Sequence, residues 1–136
     1  MQKKYLPLVT IIMNVHNGEK FIQEAIKSIF KQTYTNWELI IWDNKSIDKT
    51  NLIIKQYKDK RIKYFKSTIF DTLYSARNKA ISFSQGELIT FLDVDDLWIE
   101  NKLKSQVQIM NNKNIDFCYS NYFIIQDFKK NNFKKK

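Results

Sequence analysis

Gly86-Glu87-Leu88-Ile89-Thr90-Phe91-Leu92-Asp93-Val94-Asp95-Asp96 is the stretch on which the fold turns. A glycine breaks the chain, apolar and β-branched residues follow, and acids close the run. Such a segment reads as a strand buried on both faces that delivers carboxylates at its C-terminal end. The same grammar occurs twice upstream. Leu8–Met13 is apolar and runs into Asn14-Val15-His16-Asn17-Gly18. Trp37–Trp42 is apolar and runs into Asp43-Asn44-Lys45-Ser46-Ile47-Asp48.

The intervening segments carry helical periodicity. Glu19–Gln32 places Ile22, Ile26, Ile29 and Phe30 on one face. Ser46 or Asp48 can cap a helix running to about Tyr57, and Arg61–Phe65 alternates as a short strand. Thr72–Ser84 predicts a helix with Leu73, Ala76, Ala80 and Phe83 inward, closed by Gly86 as a cap glycine. Ile99–Asn111 predicts another, with Leu103, Val107 and Met110 on one stripe. Ile115–Tyr119 reads as a fifth strand, Tyr122–Ile125 as a further one, and residues after Asp127 as unstructured. Strands alternating with helices predict an α/β fold with a mostly parallel sheet flanked by helices. Ligands of such sheets bind outside the carboxyl ends of the strands, so the three polar ends are expected to converge on one edge.

The 136 residues suit one domain, read as 1–128 with a Lys/Asn-rich tail at 129–136. A 43% hydrophobic share with 15% aromatics is globular. The two glycines leave neither G-x-G-x-x-G nor G-x-x-x-x-G-K, so the common dinucleotide and ATPase readings lack their phosphate loops. The net charge is +9, but Lys129, Lys130, Lys134, Lys135 and Lys136 supply five of those positives and leave +4 elsewhere. A lysine run of this kind is a solvated end, or it rests on an anionic membrane surface. With no DNA or RNA recognition motif, the charge does not argue for a specific nucleic-acid partner. Cys118 stands alone, which excludes an intrachain disulfide and suits a reducing compartment. Met1–Pro7 is too short and polar for a signal core, and no apolar run reaches the ~20 residues of a membrane span. The expectation is a cytoplasmic protein, at most peripheral to the inner face of the membrane.

Chemistry is sought at the strand ends. Asp93, Asp95 and Asp96 place three carboxylates within four residues, which repel unless a cation intervenes. Hard oxygen ligands suit Mg2+ or Mn2+, which would join the acids to a diphosphate. The plain alternative is a helix cap with solvated neighbours. Asp43 either accepts from a base or ribose hydroxyl, or forms a turn. Asp48 reads as a cap. His16 has no second His and no nearby Cys, so it suits packing or ligand stacking rather than zinc. Arg77 is one of two arginines and either binds phosphate or is solvated on its helix.

Together, Val9–Gly18, Ile29–Glu38, Trp42–Thr50, Ala76-Arg77-Asn78 and Gly86–Trp98 resemble the family 2 glycosyltransferases of the GT-A fold, in order and spacing over residues 8–110. The resemblance implies a Rossmann-like nucleotide-diphospho-sugar transferase fold, a nucleotide-diphosphate sugar donor, often UDP-linked, and Mn2+ or Mg2+. By that resemblance Val15, His16 and Asn17 flank the base, Asp43 contacts it, and Arg77 lies near the nucleotide. Asp93 approaches ribose or sugar and, with Asp95, holds the metal of a D-x-D motif, with Asp96 a further ligand candidate. The implied activity is sugar transfer to a glycan, lipid or protein acceptor, as in polysaccharide biosynthesis. The sequence departs from the family in three places. Asn14 stands where Pro is common, His16 where Tyr is common, and Asp71-Thr72-Leu73 where a glycine often precedes Ala-Arg-Asn. Family members also continue into a half that supplies the acceptor pocket and an acidic general base. No catalytic base is assigned here, and the fold is expected to be truncated at its C-terminal side. The alternative reading is a nucleotide-sugar-binding fragment or module without the acceptor half.

Overall fold

The computed structural model describes residues 6–112, 115–125 and 133–135. The chain divides into two compact units, 1–104 and 105–136, and α4 (Lys102–Met110) crosses the boundary. In the first unit, β1 (Val9–Val15), β2 (Trp37–Asp43), β3 (Ile62–Lys66) and β4 (Leu88–Phe91) form one sheet in the order β3-β2-β1-β4. Every neighbouring pair is parallel. α1 (Ile22–Phe30), α2 (Thr50–Ile54) and α3 (Leu73–Ile81) are the crossovers.

β1 and β2 are strands because both sides of their backbone are covered. Ile11, Ile12, Met13, Leu39, Ile40 and Ile41 are all buried. A helix with this pattern would leave part of its circumference wet. The register sets Thr10, Ile12 and Asn14 beside Glu38, Ile40 and Trp42 on one face. α3 packs that face through Ala80 on Ile12 and Ile40, with Trp42, Phe65 and Ile81 around them. The path leaves β1 towards β3, then returns to the far side of β1 as β4. Right-handed crossovers therefore put α1 and α2 on the opposite face from α3. α1 lays down Ile22, Ala25, Ile26 and Ile29 there, each side chain gaining on the order of 1–3 kcal/mol from burial.

Three expectations need correction here. α3 ends at Ser82, in right-handed helical conformation, and no glycine has positive φ, so Gly86 is not its cap. Gly86 instead allows close approach: a Cβ there would lie 2.6 Å from the Thr10 nitrogen and 2.7 Å from the Leu8 carbonyl oxygen. Leu73 and Phe83 are not inward, at 49% and 42% exposure: Ala76 and Ala80 are the buried residues of α3, and Phe83 lies beyond its end. Phe83 stacks on Phe65 at 4.0 Å instead. Ile115–Tyr119 forms no strand, since no neighbour pairs with it among the described residues, and Phe117 and Tyr119 are exposed.

In the second unit, β5 (Phe123–Ile125) pairs antiparallel with β6 (Phe133–Lys135). Phe133–Lys135 is thus not unstructured. Composition argued from charged side chains, whereas a ladder is built from backbone groups. The remainder of the tail, 129–132 and 136, lies outside the described residues. No helix among the described residues is long and apolar enough to cross a membrane.

Glu38 is an acid near the start of β2, 5% exposed. It accepts from the Thr10 hydroxyl at 2.5 Å, the Gln85 N–H at 2.6 Å and Lys63 Nζ at 2.7 Å. Burial alone would raise its pKa, but the bonds from Lys63, Thr10 and Gln85 outweigh it and hold the pKa below 4.5. A depressed carboxylate contributes stability above its unfolded pKa, and that contribution fades as pH falls through the folded value. Wild-type stability in urea is therefore expected to decline on acidification below about pH 4.5, with part of the decline absent in Glu38→Gln. At neutral pH, Glu38→Gln costs about 1–3 kcal/mol by leaving Lys63 without its anion. Gly86→Ala presses a methyl group into strand backbone and is expected to cost about 1–3 kcal/mol in the same assay.

Candidate functional site

Parallel pairing puts the carboxyl ends of all four strands on one edge. Val15 pairs with Asp43, Asp43 with Lys66, and Phe91 with Ile12. The chain reverses direction across the sheet between β1 and β4, which is where open α/β sheets form a ligand crevice. The loops after β1 and β4 lie at that point, and the loops after β2 and β3 flank them.

Asp43 has no exposed surface. A carboxylate so placed is costly unless hydrogen-bonded. Its Oδ1 accepts from the Ser46 N–H at 2.7 Å and its Oδ2 from the Tyr64 hydroxyl at 2.6 Å. Burial, then donation to Asp43 and the charge of Asp43, push the Tyr64 phenol well above its ordinary range. Asp43 thus folds the β2–α2 loop and ties it to β3. Its own carbonyl accepts from the Ser67 N–H, which brings in the β3–α3 loop as well.

The β1–α1 loop is bound to the same scaffold. His16 Nδ1 donates to the Asn44 carbonyl at 2.9 Å, and the Asn17 amide lies 3.2 Å from Nε2. The Asn17 N–H donates to Ser46 Oγ and its Oδ1 accepts from the Ile47 N–H. Asn17 sits at φ 52, a left-handed conformation that asparagine tolerates better than most residues. Val15 is buried beneath, and its carbonyl accepts from the Asn44 N–H. Gly18 fits where a Cβ would lie 2.5 Å from Val15 and 2.9 Å from Val94, so it also locks the β1 and β4 loops together. Asp48 accepts from the Thr50 and Glu19 N–H groups and braces the start of α2.

On the β4 side, Arg77 Nη2 donates to Asp93 Oδ1 at 2.7 Å, and its guanidinium lies 5.4 Å from the centre of the Phe91 ring. Arg77 is therefore not simply solvated. α3 carries it across to the end of β4. Asp95 and Asp96 follow in the same loop, both exposed. Partial burial, then the charges of Asp95 and Asp93, raise the pKa of Asp96. Among the described residues no three His, Cys, Asp or Glu side chains converge as a ready-made metal cage. A cation that shares its shell with a diphosphate and water needs only one or two carboxylates, which Asp93 and Asp95 can supply.

The structure thus joins Val15, His16, Asn17 and Asp43 in one bonded loop cluster, and Arg77 with Asp93 in an ion pair on the same edge. Residue-by-residue reading did not single out Tyr64, Asn44 or Gly18. Tyr64 carries no motif and is found only through register. Gly18 is one of two glycines and follows a strand, a signal that was legible. Asn14, one residue before the end of β1, has both amide atoms buried and without hydrogen-bond partners among the described residues, as is Trp42 Nε1 beside it in register.

A parallel sheet with acids and one arginine at its switch point defines an α/β protein with a charged ligand edge. The sequence pattern of Glycosyl transferase family 2 matches residues 10–136, and the chain belongs to that family. It is 43% identical over 120 residues to an Escherichia coli protein, UDP-Glc:alpha-D-GlcNAc-diphosphoundecaprenol beta-1,3-glucosyltransferase WfgD, covering 88% of this chain and 47% of that one. It is 34% identical to the putative teichuronic acid biosynthesis glycosyltransferase TuaG of Bacillus subtilis, covering 88% and 48%. Among solved structures it resembles Staphylococcus aureus TarS 1-349 in complex with UDP, with TM-score 0.73, 26% identity, and 78% and 32% coverage. The mannosyltransferase PcManGT of Pyrobaculum calidifontis, in complex with GDP-Man and Mn2+, matches with TM-score 0.73, 26% identity, and 77% and 32% coverage. The fold is GT-A, and the chain spans about half the length of the curated relatives it matches.

Tyr64→Phe removes one of the two donors to a carboxylate with no exposure. We expect a loss of about 1–3 kcal/mol in urea unfolding at neutral pH. A stability equal to wild type would mean that Asp43 finds another donor.

Proposed function

We propose that this chain binds a nucleoside-diphosphate sugar, UDP-linked, through a divalent cation, as the donor side of a glycosyltransferase. The observation that carries the reading is the Arg77–Asp93 contact at 2.7 Å on the edge that also holds the His16–Asp43 loop cluster. Two successive elements, α3 and the end of β4, there present a guanidinium and a carboxylate to one crevice. Val15, His16 and Asn17 border the base, and Asp43 holds the loop the base meets. Arg77 offers positive charge to the nucleotide, and Asp93 faces ribose or sugar.

Asp95 with Asp93 would hold Mn2+ or Mg2+. A cation there offsets negative charge on a departing diphosphate, which the glycine-poor loops cannot do with backbone N–H groups alone. The names of the Escherichia coli relatives specify a UDP-glucose donor and a diphosphoundecaprenol-linked acceptor. By analogy, the reaction proposed is transfer of a hexose to a lipid-linked glycan. The described residues are assigned to the donor; no general base is assigned among them. A reducing, cytoplasmic setting fits the unpaired Cys118.

Calorimetry of UDP binding with and without Mn2+ tests the reading. The expected result is binding that strengthens with Mn2+ in wild type, with that gain lost in Asp95→Asn and the metal-free affinity unchanged. No heat with UDP or GDP at millimolar concentration, metal present, would sink it.

A further inference from the structure

Phe70 is a large apolar side chain held in water. It is 61% exposed, in the β3–α3 loop, with Ile69 beside it also exposed. Folding gives no reason for the placement, since a ring so exposed gains little from burial. Yet the backbone beside it is fixed. The Asn44 amide donates to the Asp71 carbonyl at 2.8 Å and accepts from the Asp71 N–H at 2.9 Å. The Ser67 hydroxyl donates to the Ile69 carbonyl at 2.6 Å. The ring itself meets His16, with centroids 4.8 Å apart and planes at 69°. His16 is in turn bonded to Asn44, so one asparagine sets both aromatic groups.

We propose that Phe70 is a stacking wall of the nucleobase subsite. The inference rests on the donor reading above and adds a binding residue to it. His16 buttresses the ring edge-to-face and leaves the remainder open to solvent. A base laid against that open surface is desolvated between aromatic ring and loop. Stacking on an aromatic side chain contributes about 1–3 kcal/mol per base, which is about 5- to 150-fold in affinity. The contact tolerates any base, because each has a π-face. Phe70 would therefore set affinity for the nucleoside, and the polar loop atoms would set which base is preferred.

The test uses the full chain with Mn2+, and UDP or inorganic diphosphate as probes. Phe70→Ala is expected to weaken UDP about 5- to 150-fold while leaving diphosphate binding and the melting temperature near wild type. Phe70→Trp is expected to retain UDP affinity and to add, over the emission of Trp37, Trp42 and Trp98, a fluorescence component that UDP quenches and diphosphate does not. Equal UDP affinity in wild type and Phe70→Ala, or equal losses for UDP and diphosphate in a folded variant, overturns the role of Phe70 alone. Absence of nucleotide binding in wild type overturns this inference together with the donor reading.

Discussion

Two backbone ladders meet on β1. It pairs with β2 on one side over seven residues and with β4 on the other over four. Parallel hydrogen bonds allow little freedom of register when both faces are buried, because a slip of one residue would turn an isoleucine row into the wrong layer. Every position at the carboxyl edge follows from that register. Val15 is level with Asp43, and Leu92 bonds back to Ile12, so Asp93 emerges beside Asn14. The site is thus a consequence of strand pairing before any functional side chain is considered. Thr10 and Glu38 pin the other end: Thr10 accepts from the Gly86 N–H and donates to Glu38, which also takes the Gln85 N–H. With Lys63 of β3 also donating to Glu38, these bonds join three strands and the turn that precedes β4.

Loops poor in glycine hold their shape here by side chain to backbone bonding. Asn17, Asn44, Ser46, Asp48 and Thr50 each carry at least one such bond at the carboxyl edge. Asn17 and Lys45 take the left-handed conformations that glycine would usually fill. Short polar side chains satisfy the backbone groups that a turn leaves unpaired, which is why Asn, Asp and Ser recur between strands. The cost is that each loop depends on its neighbour. Asn44 bonds forward to Asp71 and back to His16, so the loops after β1, β2 and β3 behave as one structural piece.

The strands were legible because β1 and β2 are unbroken apolar runs, and their polar exits were visible in the same reading. The parallel pairing and the common edge followed from the alternation of strands and helices, whereas the order β3-β2-β1-β4 appears only in the structure. What stayed hidden depends on distance across the chain. Tyr64 looks like any alternating aromatic in a short strand until register puts it against Asp43. Gly86 sits where a cap glycine would, and only the approach of Thr10 reveals its purpose. Leu73 and Phe83 match a helical stripe, but Ala76 and Ala80 occupy the short distance between α3 and the sheet, which has no room for larger groups. Ile115–Tyr119 has strand-forming residues and no partner, so local propensity did not suffice.

The electrostatics of the β4 end carry the argument from shape to chemistry. Three acids stand close together, and the rise in the Asp96 pKa records both its partial burial and their mutual repulsion. Arg77 relieves only part of this, since it binds one oxygen of Asp93 from the helix side. Asp95 projects into solvent without such a partner among the described residues. The remaining negative field therefore faces the crevice, not the core. Such a field would repel a diphosphate unless a divalent cation stands between them, whereas the aromatic and amide groups of the β1 and β3 loops carry no charge to oppose a base. The edge thus sets the exposed aromatic contact of His16 and Phe70 on one side and the Arg77–Asp93 pair with Asp95 on the other. A nucleotide joined to a metal-bound diphosphate has that same division along its length.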